Sequence, residues 1–221
     1  MAMHGVRRIT NRGRDRIIGK FASLKMQQII QWESQIERDC CYWLEFDRDV
    51  IAYRSQPLII SYIFEDRKLR HTPDFEVMRH SLQTGQYQYL EVKPYKKTME
   101  DEFKRKHIAR AAHFHLHGHI YDLITDELLR KDSYLDNIRL LYRYARLTSN
   151  PEILLKIKRA LPNHSKHTLK LLQNHCVEFG AEMELAYLLL YNGSARFDME
   201  KPLHINTEIE MTWYVGEMIY E

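Results

Sequence analysis

His71-Thr72-Pro73-Asp74-Phe75-Glu76-Val77 and Tyr89-Leu90-Glu91-Val92-Lys93-Pro94 are the two runs on which the reading of this chain turns. In the second, Glu91 and Lys93 stand two apart, so a strand would point both to one face and send Leu90 and Val92 to the other. Pro73 restricts Thr72 to extended geometry and suits the start of a strand rather than its centre. If the Asp74 segment is a neighbouring strand, its carboxylate joins Glu91 and Lys93. Two carboxylates a few ångströms apart resist joint ionisation unless a divalent cation lies between them. A lysine beside them is a point charge suited to a phosphate oxygen or an attacking water. Such a set is the apparatus of metal-assisted phosphodiester hydrolysis.

Working outward, 221 residues suffice for one large domain, or for a medium and a small one, with a core that needs no staples. Hydrophobic and charged shares of 44% and 29% describe an ordinary globular protein. A net charge of +3 excludes a polycation, so affinity for nucleic acid must come from local patches. Cys40, Cys41 and Cys176 form no CxxC pair, which fits a reducing compartment. No run reaches transmembrane length and no signal-peptide core opens the chain. The expectation is an intracellular, cytoplasmic protein without a membrane partner.

Residues 1–27 hold seven cations, Arg7, Arg8, Arg12, Arg14, Arg16, Lys20 and Lys25, against the single acid Asp15, and read as a phosphate-contacting arm. From Met26 to Phe46 the apolar positions Ile29, Ile30, Trp32, Ile36, Cys40, Trp43 and Leu44 recur at threes and fours and predict an amphipathic helix, with Glu37 at the edge of its buried face, three residues after Ser34. Leu58–Phe64 and Leu69–Val77 read as strands joined by a Glu65-Asp66-Arg67-Lys68 turn. Met99–Leu116 is a second amphipathic helix stopped at Gly118. Lys96 and Lys97 before it could line DNA. Ile120–Thr125 is a further strand, and a helix follows from Asp132/Ser133. His113 and His117 have the spacing of a helical zinc pair, but no glutamate follows the first in the HExxH sense and no cysteine lies near. Helix-end polarity is the preferred reading there.

Pro73-Asp74 with Glu91-Val92-Lys93 resembles the PD-(D/E)xK signature of the restriction-endonuclease-like nucleases. The wider succession Ser34-x-x-Glu37, Leu44-Glu45-Phe46-Asp47, Val50, Tyr53, Gln56-Pro57, Thr72-Pro73-Asp74 and Glu91-Val92-Lys93-Pro94 is similar to TnsA, the endonuclease subunit of heteromeric cut-and-paste transposases. Gly19–Lys25 is similar to that family's entry segment. The resemblance covers about residues 19–146. It implies an αβββαβ core, a mixed sheet flanked by helices. It implies the catalytic set Glu37, Asp74, Glu91 and Lys93, with Asp74, Glu91 and Glu37 around Mg²⁺ and Mn²⁺ able to replace it. It implies as partners double-stranded DNA at transposon ends, a TnsB-type transposase that makes the 3′ cuts, and a TnsC-type AAA+ regulator. A catalytically idle assembly factor bridging these partners is the alternative. It would be free to lose one member of the acid–acid–lysine set, and none is lost.

Thr148-Ser149-Asn150-Pro151 is the expected domain boundary. The organisation is then a basic arm over 1–18, an endonuclease domain over 19–147 and a C-terminal domain over 148–221. Helical patterns at Glu152–Leu161, Lys166–Glu178 and Ala181–Tyr191, with strand-like Ala195–Asp198 and Ile205–Ile209, suggest a small winged helix. The match to the family's own winged-helix domain is looser than the first.

Overall fold

The structure is a computed structural model that describes residues 18–213. Arg7, Arg8, Arg12, Arg14 and Arg16 of the basic arm lie outside the described residues. The chain divides into two compact units, residues 1–130 and 131–221.

The first unit begins with an antiparallel hairpin of β1 (Gly19–Ser23) and β2 (Gln28–Trp32). This replaces the first part of the helix expected from Met26. Ile29 and Trp32 are three apart, as on one face of a helix, but Ile30 and Trp32 are two apart, as on one face of a strand. The strand buries Ile30 and Trp32 while leaving Ile29 exposed. The helix starts only at the residues with the chemistry of a start. Ser34 caps α1 (Gln35–Phe46), its hydroxyl accepting from the Glu37 amide, and Glu37 returns a bond to the Ser34 hydroxyl and the Glu33 amide, a form of capping box.

After β3 (Val50–Ser55) come β4 (Ile60–Phe64) and β5 (Arg67–His71), paired in a hairpin of their own whose turn holds Glu65 and Asp66 at φ 48° and 60°. The single strand expected over Leu69–Val77 is broken at Thr72-Pro73-Asp74. Proline has no amide to donate to a ladder. The chain leaves one sheet there and enters another as β6 (Phe75–Arg79). Next are β7 (Gln88–Lys93), α2 (Tyr95–Thr98), α3 (Asp101–Leu116), β8 (Ile120–Thr125) and α4 (Asp126–Leu129). Gly118, at φ 80°, ends α3 as expected. The main sheet has the order β3-β6-β7-β8, antiparallel except for the parallel β7–β8 pair. Phe75, Val77, Leu90 and Val92 are buried, leaving Glu76, Tyr89, Glu91 and Lys93 for the opposite face. The mixed α/β class expected for the nuclease part is what forms.

The second unit holds α5 (Tyr134–Tyr142), α6 (Pro151–Ala160), β9 (Lys166–Thr168), α7 (Leu169–Glu178), α8 (Leu185–Tyr191), β10 (Ala195–Arg196) and β11 (Glu208–Met211). Its small antiparallel sheet has the order β10-β11-β9, and its core includes Ile157, Leu169, Leu172, Leu189, Ile209 and Met211. The unit starts at Lys131, not at residue 148 as expected from the Thr148–Pro151 turn. The physical reason is Asn137 of α5. Its side-chain amide donates to the carbonyls of Met199 and Lys201, and its oxygen accepts from the Leu203 amide. The Tyr142 and Tyr144 rings also meet Tyr191 and Tyr187 of α8, at 6.0 and 4.7 Å. Among the described residues no helix is long and apolar enough to cross a membrane.

Candidate active-site cleft

The bend made by Pro73 presents Asp74. Its amide donates to the Leu90 carbonyl at 2.9 Å and its carbonyl accepts from the Gln56 amide at 2.9 Å, pinning it between β7 and the end of β3. Phe75 pairs with Leu90, so one residue further Asp74 stands across from Glu91. Both line a cleft of about 930 Å³ together with Lys93, Glu37, His71, Arg70, Ile59 and Arg110.

Three oxygens converge on the Lys93 ammonium: Asp74 Oδ2 at 2.8 Å, Glu91 Oε1 at 3.0 Å and the Val92 carbonyl at 3.1 Å. Burial would lower the Lys93 pKa, but the two carboxylates outweigh it and hold the group above the ordinary lysine value. Burial lifts the Asp74 carboxyl, with Lys93 opposing and Glu91 adding to the lift. Glu91 behaves differently. Burial pushes its pKa up, yet the bond from His71 and the Lys93 charge overrule it, and the carboxyl ends below its usual range. Its Oε2 accepts from the Tyr121 hydroxyl at 2.7 Å and meets His71 Nε2 at 2.7 Å, while Arg110 approaches Oε1 at 3.6 Å. Tyr121 comes from β8, His71 from β5 and Arg110 from α3. The sequence reading assigned none of these three to the site, although His71 stood in its opening run. No short-range spacing links them to Glu91.

Glu37 reaches the same cleft from α1, but both of its oxygens are engaged in the cap, with the Glu33 amide at 2.8 Å and the Ser34 hydroxyl at 2.9 Å. Burial, and then the Asp74 charge, raises its pKa to about 7. The expected trio of acids is therefore not gathered as a trio. Among the described residues no group of three or more His, Cys, Asp or Glu is arranged as for a metal ion. What converges is two carboxylates and a backbone carbonyl, hard oxygen donors already held around a positive charge. Their chemistry fits a divalent cation such as Mg²⁺.

The expected DNA-contacting cations fare unevenly. Lys20 is exposed on β1 and Lys96 is exposed on α2, while Lys97 is paired with Glu100 at 2.6 Å. Lys25 has a structural task instead, because its ammonium caps the end of α1 through the carbonyls of Leu44 and Asp47 at 2.8 and 2.6 Å. The His113 and His117 rings lie 4.5 Å apart on α3.

Residues 47–126 match the family model described as TnsA-like endonuclease N terminal. The match includes Asp74, Glu91 and Lys93 and leaves Glu37 outside. No curated protein matches the chain at a significant level.

Proposed function

We propose that this chain, which carries a TnsA-like endonuclease N-terminal domain over residues 47–126, is a transposition endonuclease subunit that hydrolyses the 5′ strands at transposon ends. The observation that carries this reading is the convergence of Asp74, Glu91 and Lys93 in one open cleft.

Asp74, Glu91 and the Val92 carbonyl would hold Mg²⁺ or Mn²⁺, which when bound polarises a phosphoryl oxygen and lowers the pKa of water. Glu91 is suited to be the permanently ionised ligand, because its partners keep it charged. Lys93 is released from the carboxylates when other positive charge neutralises them. Its ammonium then orients the attacking water and offsets charge on the scissile phosphate. Glu37, with a pKa near neutrality, is suited to exchange a proton with water at the edge of the site.

A TnsB-type transposase for the 3′ strands and a TnsC-type AAA+ regulator complete the proposed assembly in the bacterial cytoplasm, on double-stranded transposon-end DNA. For the second unit, the order α6-β9-α7-α8-β10-β11 and the sheet order β10-β11-β9 support a winged helix preceded by α5. In that architecture α8 would be the groove-reading helix. Its residues 185–191 contain no cation, and α5 packs on it. This favours protein docking over DNA reading for the unit.

Strand-resolved cleavage of transposon-end DNA in Mg²⁺, with and without the partner transposase, tests the proposal. The 5′ cut should depend on this chain and vanish with Asp74→Ala. Near-normal cutting by that variant would refute the assignment.

A further inference from the structure

The β4–β5 hairpin has two faces with opposite commitments. Its inner face packs Ile60, Tyr62, Phe64 and Leu69 around Phe114 and Tyr121. The cations of α3 are used to hold it there. Arg110 donates to the Tyr62 hydroxyl at 3.3 Å, Lys106 lies over the Phe64 ring at 5.6 Å, and Arg105 pairs with Glu65 of the turn at 3.4 Å. A lone hairpin is marginal in water, so this anchorage is what makes it a rigid wall.

The outer face is the reverse. Lys68 pairs across the hairpin with Ile63, and Arg70 pairs with Ser61. All four are exposed, with Ile63 65% exposed. Among the described residues of the first unit, every lysine and arginine has a hydrogen-bond, ionic or other electrostatic partner except Lys20, Arg67, Lys68, Arg70 and Lys96. Three of these five lie on β5. Arg70 and Ile59, at the base of the hairpin, line the cleft that holds Asp74, Glu91 and Lys93. Asp66 stands at the far tip of the turn. A row of cations left unneutralised beside a hydrolytic cleft is what a polyanion would fill, since each phosphate contact releases a condensed counterion.

We propose that the outer face of the β4–β5 hairpin is a DNA-backbone wall of the cleft. Lys68 and Arg70 contact successive phosphates of one strand, and the exposed Ile59 and Ile63 lie against its sugars. Residues two apart on a strand are about 7 Å from each other, a spacing suited to neighbouring phosphates. The contacts carry no base specificity, so they set position rather than sequence. This inference rests on the nuclease reading above.

The test compares the full chain with Lys68→Ala/Arg70→Ala by fluorescence anisotropy on a labelled duplex of arbitrary sequence, in EDTA, over a range of salt. The variant should bind more weakly, and its plot of log affinity against log salt should be less steep by about 2, at about 0.9 per lost phosphate contact. Charge reversal at both positions should weaken binding further. Because both side chains are exposed, the melting temperature should not move. The control Lys104→Ala, which removes an ion-paired lysine of α3 that does not touch the hairpin, should leave the slope as it is. In Mg²⁺ the hairpin variant should cut transposon-end DNA with a raised KM and a retained kcat. An unchanged slope with cutting intact would overturn the hairpin assignment and spare the nuclease reading. A wild-type chain with no salt-dependent duplex affinity would overturn both.

Discussion

Glu45 and Glu91 are both buried carboxylates, 4% and 1% exposed, yet their surroundings differ in kind. Glu45 lies at the end of α1 and accepts from the Ser23 hydroxyl, the Tyr53 hydroxyl at 2.8 Å, and the amides of Leu24 and Lys25 at 3.1 and 3.0 Å. It ties the β1–β2 turn to the helix. Glu91 faces Lys93, His71 and Arg110 as well as Tyr121, and one side of it opens on the cleft. Hydrogen-bond donors fixed in the backbone and core make a carboxylate part of the scaffold. Side-chain donors beside an opening, the Lys93 ammonium among them, leave it able to trade a partner for a ligand. Burial by itself separates neither case.

The largest expected effect sharpens the functional side of this contrast. Asp74→Ala removes a proposed ligand from the cleft and should lower 5′ cutting by at least about 10³-fold. Its urea denaturation midpoint should stay near that of the wild type, measured alongside the cleavage rate. Glu45→Ala should do the opposite. Stranding two hydroxyls and two amides costs about 3 kcal/mol of stability, read from urea denaturation, and activity should fall only as far as the folded fraction does. If Glu45→Ala folds normally and loses cutting, the division between scaffold and site fails.

Tyr121→Phe is a smaller perturbation. It takes one donor from Glu91 Oε2 and should weaken Mn²⁺ binding by about tenfold in calorimetric titration, with the fold unchanged. Smaller still is a pH effect at Glu37. Its folded pKa of about 7 exceeds the model-peptide value of 4.5, so the native state holds a proton that the unfolded chain releases. The stability this contributes is complete below about pH 4.5 and is lost as the pH rises towards 7. Glu37→Gln keeps the cap and cannot titrate. Its melting temperature in EDTA should therefore fall less than that of the wild type across this window, and an equal fall would show that Glu37 is not raised.

Much of the cleft was legible in the sequence because its parts obey short-range rules. The two-residue step from Glu91 to Lys93 puts both on one strand face, and the proline marks Asp74 at a strand start. Asp74 joins them only through the β6–β7 pairing, which the sequence left as a condition. His71, Tyr121 and Arg110 were illegible for the complementary reason, since three separate elements deliver them. The misread segment at Gln28–Trp32 is instructive too. Trp32 pairs with Ile29 at helical spacing and with Ile30 at strand spacing, and the deciding features are the turn before the strand, with Gln27 at φ 49°, and the capping box after it. The break at Pro73 was visible, but not that it hands the chain from one sheet to another. The boundary at Lys131 depends on Asn137 reaching carbonyls more than sixty residues away, which no local turn signal reports.

Lys93→Ala tests the central claim most directly. The variant keeps both carboxylates and every exposed surface, and loses only the ammonium that the three oxygens surround. Assembly with the proposed transposase and regulator, and joining of the 3′ ends, should persist. The 5′ strands should remain attached to donor DNA, so that long-read sequencing of insertion products shifts from simple insertions to donor-bearing cointegrates. Lys93→Arg should not rescue, because the planar guanidinium is bulkier and presents a rigid fork where the site holds a compact point charge. Simple insertions still predominating in the Lys93→Ala strain would contradict the account.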